Sequence, residues 1–281
     1  PAGRRVFLEV QDVHKRFAGV HALRGIDLRI EAGEIYHLLG ENGCGKSTLI
    51  KIISGAQPPS QGRIVIDGQP YDSLSPLQAL SLGIETVYQD LSLLPNMSVA
   101  ENVALSEQLV ATGGRLARRF DRKALAATAA RALEAVKLPT DAAFLARRVD
   151  EMPIATRQLV AIARAVATRA RMVIMDEPTT SLTQKEVDNL VRVVEALREQ
   201  GVAVLFVSHK LDECMAMGGQ AIVFRDGTKV AQGPIRDFTK AEIAHWMTGK
   251  HLDGERYRHG SHGGEELLKV EALGRGAQFS D

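Results

Sequence analysis

The amino-acid sequence predicts an α/β protein with a phosphate-binding loop at the edge of a parallel-sheet core. Residues 40–47 are Gly-Glu-Asn-Gly-Cys-Gly-Lys-Ser and match the phosphate-loop pattern G-x-x-x-x-G-K-[ST]. In the second half of the chain, short apolar runs typical of buried strands alternate with helix-like segments. Residues 98–147 contain no strand-like run and are rich in Ala, Leu, Arg and Glu, so we expect helices there.

The first strands of the chain are expected to be antiparallel. Apolar and polar residues alternate around Val6–Val13 and again around Ala22–Ile30, which is typical of strands with one buried face. Residues 63–68 are Arg-Ile-Val-Ile-Asp-Gly, a pattern that predicts a strand followed by a turn. These segments predict an antiparallel β region that is separate from the parallel core.

The phosphate loop lies between a predicted strand, Ile35–Leu39, and a predicted helix that begins at Ser47 and ends before Gly55. Such a helix points the positive end of its dipole at a bound phosphate. Lys46 is expected to reach the β- and γ-phosphates of a nucleotide, and the Ser47 hydroxyl to hold Mg²⁺. The expected nucleotide-contacting residues of the loop are Gly40, Asn42, Gly43, Cys44, Gly45, Lys46, Ser47 and Thr48.

The second half is predicted to alternate between helices and strands. The predicted elements are a helix at Gln158–Thr168, a strand at Met172–Met175, a helix at Val187–Arg198, a strand at Val202–Val207, and a hairpin of Ala221–Phe224 and Thr228–Ala231 around Asp226-Gly227. On the first helix, Leu159, Ile162, Ala163 and Val166 are predicted to form the apolar face. Because ligands bind at the carboxyl ends of parallel strands, we expect the nucleotide there.

Acidic and histidine side chains follow two of these strands. Asp176 ends an apolar strand, as the Mg²⁺-binding carboxylate does in phosphate-loop ATPases, and Glu177 comes next. Adjacent residues at a strand end are expected to point in different directions, so one would serve the metal and the other an attacking water. His209 follows the next strand and can donate a hydrogen bond to a phosphate oxygen. Taken singly, these positions also fit an ordinary turn and a surface histidine.

Composition argues against several other classes of protein. The formal net charge is +1, so no global field attracts nucleic acid or an acidic membrane. The basic clusters Arg115–Arg122 and Arg147–Arg148 are short and have acidic neighbours, which is typical of a solvated face. Two cysteines, Cys44 and Cys214, are too few for a disulfide framework and indicate a reducing cytoplasm. Cys44 lies near a helix N-terminus, so we expect a reactive thiol that ATP protects from alkylation.

Over essentially residues 5–250, the ordered motifs resemble the nucleotide-binding subunits of ABC transporters. Gly40–Ser47 is similar to the Walker A motif, and Met172–Glu177 to Walker B followed by the catalytic glutamate. Val87–Asp90 resembles the Q-loop, and Ser181–Thr183 takes the position of the D-loop. The resemblance implies a RecA-like parallel-sheet core with an antiparallel β subdomain and an α-helical subdomain.

The same resemblance implies roles for individual residues, with ATP and Mg²⁺ as cofactors. The implied catalytic residues are Lys46, Glu177 and His209, and the implied metal-contacting residues are Ser47, Gln89 and Asp176. Gln89 would also contact the transmembrane partner, and His209 would be the switch histidine at the γ-phosphate. Phe17 lies where an aromatic ring stacks on adenine, which suits the π face of the base. The alternative for Phe17 is a plain hydrophobic strand residue.

One motif departs from the family pattern. The signature Leu-Ser-Gly-Gly-Gln should precede Gln158, but this chain has Met-Pro-Ile-Ala-Thr at 152–156. In family dimers the signature of one domain caps the ATP of the other, and its Ser hydroxyl donates to the γ-phosphate. Pro153 has neither a hydroxyl nor an N–H. Two interpretations stay open: an asymmetric pair whose competent site uses this chain's phosphate loop, or a cap made by the backbone N–H groups of Ile154–Thr156.

Further details resemble the ATPase subunits of importers for monosaccharides such as ribose, xylose or galactose, which carry two such domains in one chain. The segments concerned are Gly40–Gly43, Val87–Asp90, Leu94–Asn102 and Met247–Gly249. We therefore predict a nucleotide-binding domain at 1–250, with its helical subdomain at about 98–160, and a linker at 251–266. Residues 267–273 echo the pattern of 7–13, which fits a short apolar tail or the first strand of another domain. The resemblance to two-domain ATPases favours the second interpretation, so residues 267–281 are predicted to start a second, truncated ABC domain.

The resemblance thus implies an ATPase domain that powers monosaccharide import, peripherally bound at the cytoplasmic face of the bacterial inner membrane. The implied partners are a second ABC domain, the transmembrane permease subunits and, indirectly, a periplasmic sugar-binding protein, with no nucleic acid. A soluble ABC protein acting on ribosomes or DNA is one alternative, but it would carry a basic linker or coiled-coil insert. A small-molecule kinase is another, but it would leave His209 and the Gln89 loop unexplained.

Overall fold

The computed structural model describes residues 5–88, 92–113 and 122–249. These residues belong to a unit that spans Pro1–Lys250. Gln89, the predicted linker and the predicted start of a second domain lie outside the described residues. Within the described ranges, no helix is both long enough and apolar enough to cross a membrane.

Ten strands and nine α-helices make up the described part of the chain. The strands are β1 (Val6–Phe17), β2 (Val20–Glu31), β3 (Ile35–Leu39), β4 (Gln61–Ile66), β5 (Gln69–Tyr71), β6 (Ile84–Val87), β7 (Met172–Asp176), β8 (Ala203–Val207), β9 (Gln220–Arg225) and β10 (Thr228–Pro234). The helices are α1 (Lys46–Ile53), α2 (Pro76–Ser81), α3 (Val99–Ala111), α4 (Arg122–Ala135), α5 (Ala142–Ala146), α6 (Ile154–Ala167), α7 (Gln184–Glu199), α8 (Leu211–Met217) and α9 (Lys240–Thr248).

The strands form two sheets, as the sequence predicted. The first has the order β2-β1-β4-β5 and is antiparallel throughout. The second has the order β10-β9-β3-β8-β7-β6, in which β10 pairs antiparallel with β9 and all other neighbours are parallel. Because β3, β8 and β7 are consecutive neighbours, the loops that follow them meet at one edge of the sheet.

The central strands of the six-stranded sheet are buried on both faces, and residues of β8 alternate between two core clusters. On β8, Leu205 and Val207 pack in the cluster that includes Leu8 and Ile30 of the antiparallel sheet. Phe206, between them, packs in the cluster that includes residues of α3, α4, α6 and α7. A near-continuous apolar strand is expected where helices or a second sheet cover both faces.

Helix α6 begins four residues before the predicted Gln158, at Ile154, and its buried face differs from the predicted one. Leu159 and Val166 are only partly buried, whereas Val160 and Ala161 are fully buried. The helix lies between α3, α4 and the edge strand β6, so more than one side of it is covered. Ile162 and Ala163 are fully buried as predicted, and the buried surface of the helix extends beyond the single predicted face.

An ion-pair cluster attaches the antiparallel sheet to the start of β7. The Arg171 guanidinium binds both carboxylate oxygens of Asp67 in the β4–β5 turn and lies 4.5 Å from the centre of the Phe7 ring. Arg5 donates to the same carboxylate at 2.9 Å. Hydrogen bonding to Arg171 lowers the pKa of Asp67. The bidentate pair fixes the first residues of the strand that leads to Asp176.

Candidate nucleotide site

Close backbone contacts explain why the phosphate loop needs glycine at particular positions. Gly40 and Gly45 have φ values of 153° and 110°. A Cβ on Gly40 would lie 2.5 Å from the Phe224 carbonyl oxygen, and one on Gly45 would lie 2.7 Å from that of Ala22. Gly43 also has a positive φ of 82°, but a Cβ there would meet nothing within 4 Å. Two of these glycines are therefore required by close approach, and the third by backbone conformation alone.

The turn between β9 and β10 supports the phosphate loop from behind. Gly227 donates its N–H to the Cys44 carbonyl at 3.1 Å, and its own carbonyl accepts from the Arg24 N–H at 2.8 Å. The turn has the positive φ values of a type I′ hairpin, 50° at Asp226 and 78° at Gly227. The Asp-Gly pair predicted this hairpin correctly, but nothing local in the sequence indicated that it contacts the phosphate loop.

Lys46 is the first residue of α1, and its ammonium group is held inside the loop. Its Nζ donates to the Gly40 carbonyl at 2.7 Å and to the Glu41 carbonyl at 2.9 Å. Gly45 is the N-cap residue, and no side chain caps the helix. The first turn of α1 therefore presents backbone N–H groups and the positive end of the helix dipole to an anion.

A cleft of about 290 Å³ opens at the carboxyl edge of the parallel sheet. It is lined by Asn42, Gly43, Gly45, Lys46, Ser47, Thr48, Asp176 and Glu177. The structure thus brings most of the predicted loop residues together with the two acidic residues that follow β7. Both carboxylates line the same cleft, because Glu177 leaves the strand with a φ of 48°. Strand alternation has already ended at Glu177, so the predicted division of roles, with one carboxylate for the metal and the other for an attacking water, stays a prediction.

The electrostatics of the cleft favour a cation next to Asp176. Burial raises the pKa of Asp176, the neighbouring Glu177 raises it further, and Lys46 and Lys51 act in the opposite direction. In the described part of the chain, no group of three or more His, Cys, Asp or Glu side chains could hold a metal ion alone. Mg²⁺ usually binds one or two carboxylates together with substrate phosphates. Asp176 and the Ser47 hydroxyl, both lining the cleft, fit that mode of binding.

His209 lies beside the cleft, where it contacts Glu177, one of the lining residues. Its Nδ1 is 3.4 Å from Glu177 Oε1, and 56% of its side chain is exposed, against 19% for Glu177. Thr180, which the sequence did not single out, places its hydroxyl 3.2 Å from the Glu177 carbonyl oxygen and 3.4 Å from Oε2. The three polar side chains follow β7 and β8, which are paired strands.

Phe17 lies at the end of β1 and does not line the cleft. It is 45% exposed and pairs with Val20, which is 60% exposed, across the β1–β2 turn. The Lys15 ammonium lies 5.3 Å from the ring centre. Ala22, two residues after Val20, closely approaches Gly45 of the phosphate loop. Phe17 and Val20 therefore lie at the end of the β1–β2 hairpin that is nearest the phosphate loop. Phe17 is thus an exposed strand residue, and its role in stacking on adenine stays a prediction.

The side chain of Cys44 is turned inward. Cys44 is buried, with 6% of its surface exposed, and its Sγ would lie 2.5 Å from a Cβ on Gly40. Burial raises the pKa of this thiol, which outweighs the nearby Lys46. Burial and a raised pKa disfavour the reactive thiolate, and protection of Cys44 from alkylation by ATP stays a prediction. The sequence placed Cys44 at a helix N-terminus but did not show that its side chain turns inward.

The segment at the signature position has apolar residues at the exposed start of α6. Pro153 is the N-cap residue and no side chain caps the helix. Ile154 is 40% exposed, whereas Met152 is buried. This end of the helix therefore offers backbone N–H groups but no hydroxyl at the Pro153 position.

Comparison with known proteins places these features in one family. The family model described as ABC transporter matches residues 23–180. "Ribose import ATP-binding protein RbsA 1" of Rubrobacter xylanophilus is 42% identical over 280 residues, covering 99% of this chain and 54% of the relative. "Ribose import ATP-binding protein RbsA" of Corynebacterium glutamicum is 38% identical, covering 98% of this chain and 51% of the relative. The chain spans about half the length of these relatives.

Solved structures show the same fold. An ATP-binding cassette of an ABC transporter in its ADP conformation superimposes with a TM-score of 0.75 at 24% identity, covering 87% of this chain and 99% of that chain. A dimeric cassette in a post-hydrolysis state, bound to ADP and Pi, gives a TM-score of 0.69 at 25% identity, covering 82% and 100%. The predicted fold class is confirmed by this likeness and by the two sheets described above.

Proposed function

Because the chain belongs to the ABC transporter family, we propose that it is an ATP-hydrolysing motor domain that powers import of a monosaccharide. The observation that carries the proposal is the cleft at the sheet edge, where Lys46 and Ser47 lie together with Asp176 and Glu177. A phosphate-binding loop facing two carboxylates is the arrangement that phosphoryl transfer from a nucleotide requires.

In this proposal each residue has a defined task. Lys46 and the first turn of α1 bind the phosphates, and Ser47 and Asp176 hold Mg²⁺, which neutralises charge on the phosphate oxygens. Glu177 orients the attacking water, and His209, which contacts Glu177, donates to the γ-phosphate. Gln89, as a further metal contact, and Phe17, as the adenine platform, complete the proposed site.

Mg²⁺-dependent ATP hydrolysis by the chain tests the activity. We expect Glu177→Gln to lower kcat by about 100- to 1,000-fold while ATP still binds, because only the water-orienting group is lost. Glu199→Gln, at the exposed end of α7, is the matched control and should leave kcat unchanged. Equal rates for Glu177→Gln and Glu199→Gln would remove Glu177 from the proposed mechanism.

The proposed cargo rests on the relatives, whose names refer to ribose import. Such a function requires permease subunits, a sugar-binding protein and a place at the cytoplasmic face of the inner membrane, as a peripheral protein. The full-length protein reconstituted with its permease in proteoliposomes should hydrolyse ATP faster when the binding protein carries its sugar. A panel of ribose, xylose and galactose identifies the cargo, and no stimulation by any sugar would argue against sugar import.

We further propose an asymmetric pair of nucleotide sites. The loop, Glu177 and His209 of this chain would build the competent site, whereas the segment 152–156 would cap a degenerate site of a second ABC domain in the same full-length chain. The exposed Pro153 and Ile154 at the start of α6 support this proposal, since neither side chain donates a hydrogen bond. A domain at 1–250 followed by a linker at 251–266 would allow the second domain to begin near residue 267.

A further inference from the structure

The loops that carry Glu177 and His209 have few connections to each other. They follow β7 and β8, and the Glu177 N–H donates to the Val207 carbonyl at 2.9 Å at the end of the strand pairing. Past that point, two polar side-chain contacts join the loops in the described part of the chain. One is the 3.4 Å contact of His209 with Glu177, and the other is a hydrogen bond from Lys210 Nζ to the Thr179 carbonyl at 2.9 Å.

The Lys210 bond is the stronger of the two connections. It is charge-assisted and short, and its acceptor residue, Thr179, is 2% exposed. The same carbonyl also accepts from the Leu182 N–H at 3.3 Å. Lys210 is therefore attached to the whole turn that runs from Glu177 to Leu182, and not to a freely moving side chain.

The other end of the histidine loop is fixed as well. Ser208 is buried, and its Oγ accepts the backbone N–H of Lys210 at 3.0 Å. The Lys210 ammonium is also 3.2 Å from Glu213 Oε1, one turn along α8, which orients it toward Thr179. His209 thus lies between two residues that are both held in place, although its own side chain is largely exposed.

We propose that Lys210 is a positioning residue that holds His209 at its contact with Glu177. This inference rests on the function proposed above. It assigns the placement of His209 to the hydrogen bond between Lys210 and Thr179, in which neither Glu177 nor His209 takes part. A movement of the turn from Glu177 to Leu182 would therefore be transmitted to His209 through Lys210.

Nuclear magnetic resonance of the whole chain with ring-labelled histidine tests this at constant pH. The His209 signal, assigned with His209→Ala, should shift when Glu177→Gln is introduced, because the two side chains are in contact. In Lys210→Met, the same Glu177→Gln change should produce at most about half of that shift, since His209 is no longer held there. Lys210→Ala is a second variant with the same expected result, and denaturant midpoints identify any variant that is unfolded.

A control variant separates the Thr179 bond from other effects of charge. Lys240→Met removes another ammonium group next to α8, where Lys240 pairs with Asp212. This variant should retain the full response of His209 to Glu177→Gln. An equal response in Lys210→Met, or no response in the parent chain, would overturn the proposal.

ATP turnover provides a second reading. Lys210→Met should lower kcat about tenfold with the KM for ATP within about twofold, as expected for loss of one charge-assisted bond that orients a group. In a His209→Ala background, Lys210→Met should have almost no further effect, because both changes act through one side chain. A full additional loss in that background would also overturn the proposal. If the parent chain lacks turnover altogether, the proposed function fails, whereas the magnetic resonance result still decides the role of Lys210.

Discussion

The phosphate loop and the start of α6 both occupy positions of family motifs, but only the phosphate loop retains the residues of its motif. At the loop, only glycine fits at positions 40 and 45, because a Cβ there would lie 2.5 and 2.7 Å from carbonyl oxygens. The adjacent cleft is lined by polar residues of the loop and by Asp176 and Glu177. At α6, the helix remains packed: Gln158 and Arg164 are buried, and Arg164 Nε is 3.0 Å from Glu85 Oε1. The exposed first turn of α6, in contrast, presents Pro153 in place of a hydroxyl.

The difference shows that the packing of a helix and the chemistry of its end are separable. Helix α6 is stabilised by its tertiary contacts, which the residues at its exposed first turn do not alter. The phosphate loop has no such freedom, because Gly40 and Gly45 lie so close to the Phe224 and Ala22 carbonyl groups that neither position can hold a larger residue. A residue without a hydroxyl is therefore tolerated structurally at the start of α6, whereas a residue larger than glycine is not tolerated at Gly40 or Gly45.

The largest expected effect tests the rigidity of the loop. Gly45→Ala should abolish measurable ATP binding, because its Cβ would lie 2.7 Å from the Ala22 carbonyl oxygen. Gly43→Ala, which meets no atom within 4 Å, should cost only the ~1–2 kcal/mol of a left-handed backbone. Titration with a fluorescent ATP analogue measures both. Equal losses of affinity would mean that close packing does not determine the loop.

The second prediction tests whether α6 has kept a structural role. Arg164→Leu should destabilise the fold by about 3–5 kcal/mol, because it leaves the Glu85 carboxylate buried without its partner. Glu85→Leu/Arg164→Leu should recover most of that loss, since no unpaired charge remains. Urea unfolding gives both values, and a double variant as unstable as Arg164→Leu would contradict the explanation. The further bond from Arg164 Nη1 to the Ser92 carbonyl, at 3.0 Å, sets a limit on the recovery.

The third prediction concerns β3, the strand that leads into the phosphate loop. His37 is fully buried, its Nε2–H donates to the Gly218 carbonyl at 2.6 Å, and burial lowers its pKa to about 4. A pKa below that of the unfolded chain means that the folded protein binds fewer protons. The contribution of neutral His37 to the free energy of unfolding is fully present above about pH 6.5. It should be lost between about pH 6.5 and 4, which lowers the free energy of unfolding by about 3 kcal/mol.

His37→Gln is the matched variant for that experiment, because an amide N–H can still donate to Gly218 but does not titrate. Denaturant unfolding between pH 7 and 4 should show a much smaller slope in this variant. If the slope stays the same, other groups cause the acid sensitivity.

The smallest expected effect tests whether the residues at the first turn of α6 limit ATP hydrolysis. Pro153→Ser/Thr156→Gln restores polar groups to the exposed first turn and should raise ATP hydrolysis about 10- to 100-fold, the effect of one charge-assisted hydrogen bond. Adding Glu177→Gln to this variant should silence it, which shows that the gain arises at the proposed site. Robust activity in the parent with no gain in the double variant would mean that backbone N–H groups suffice as the cap.

The parts of the fold that the sequence predicted are those specified locally. Glycines of the phosphate loop, the Asp226-Gly227 turn and the apolar runs of β3, β7 and β8 each specify their own backbone. Burial of Cys44 was missed because it depends on how the loop folds over its own side chain. The bond from Lys210 to Thr179 joins residues 31 positions apart, and no spacing rule indicates such a contact.

The junction of Ala22, Cys44 and Gly227 has a consequence for biosynthesis. The phosphate loop is made early, but the turn that donates to the Cys44 carbonyl belongs to one of the last strands of the domain. During translation the loop therefore leaves the ribosome long before its support exists, and contacts of such sequence separation form slowly. A nascent chain that ends before Gly227 would carry the complete Walker A sequence and still lack the backbone bond that holds it.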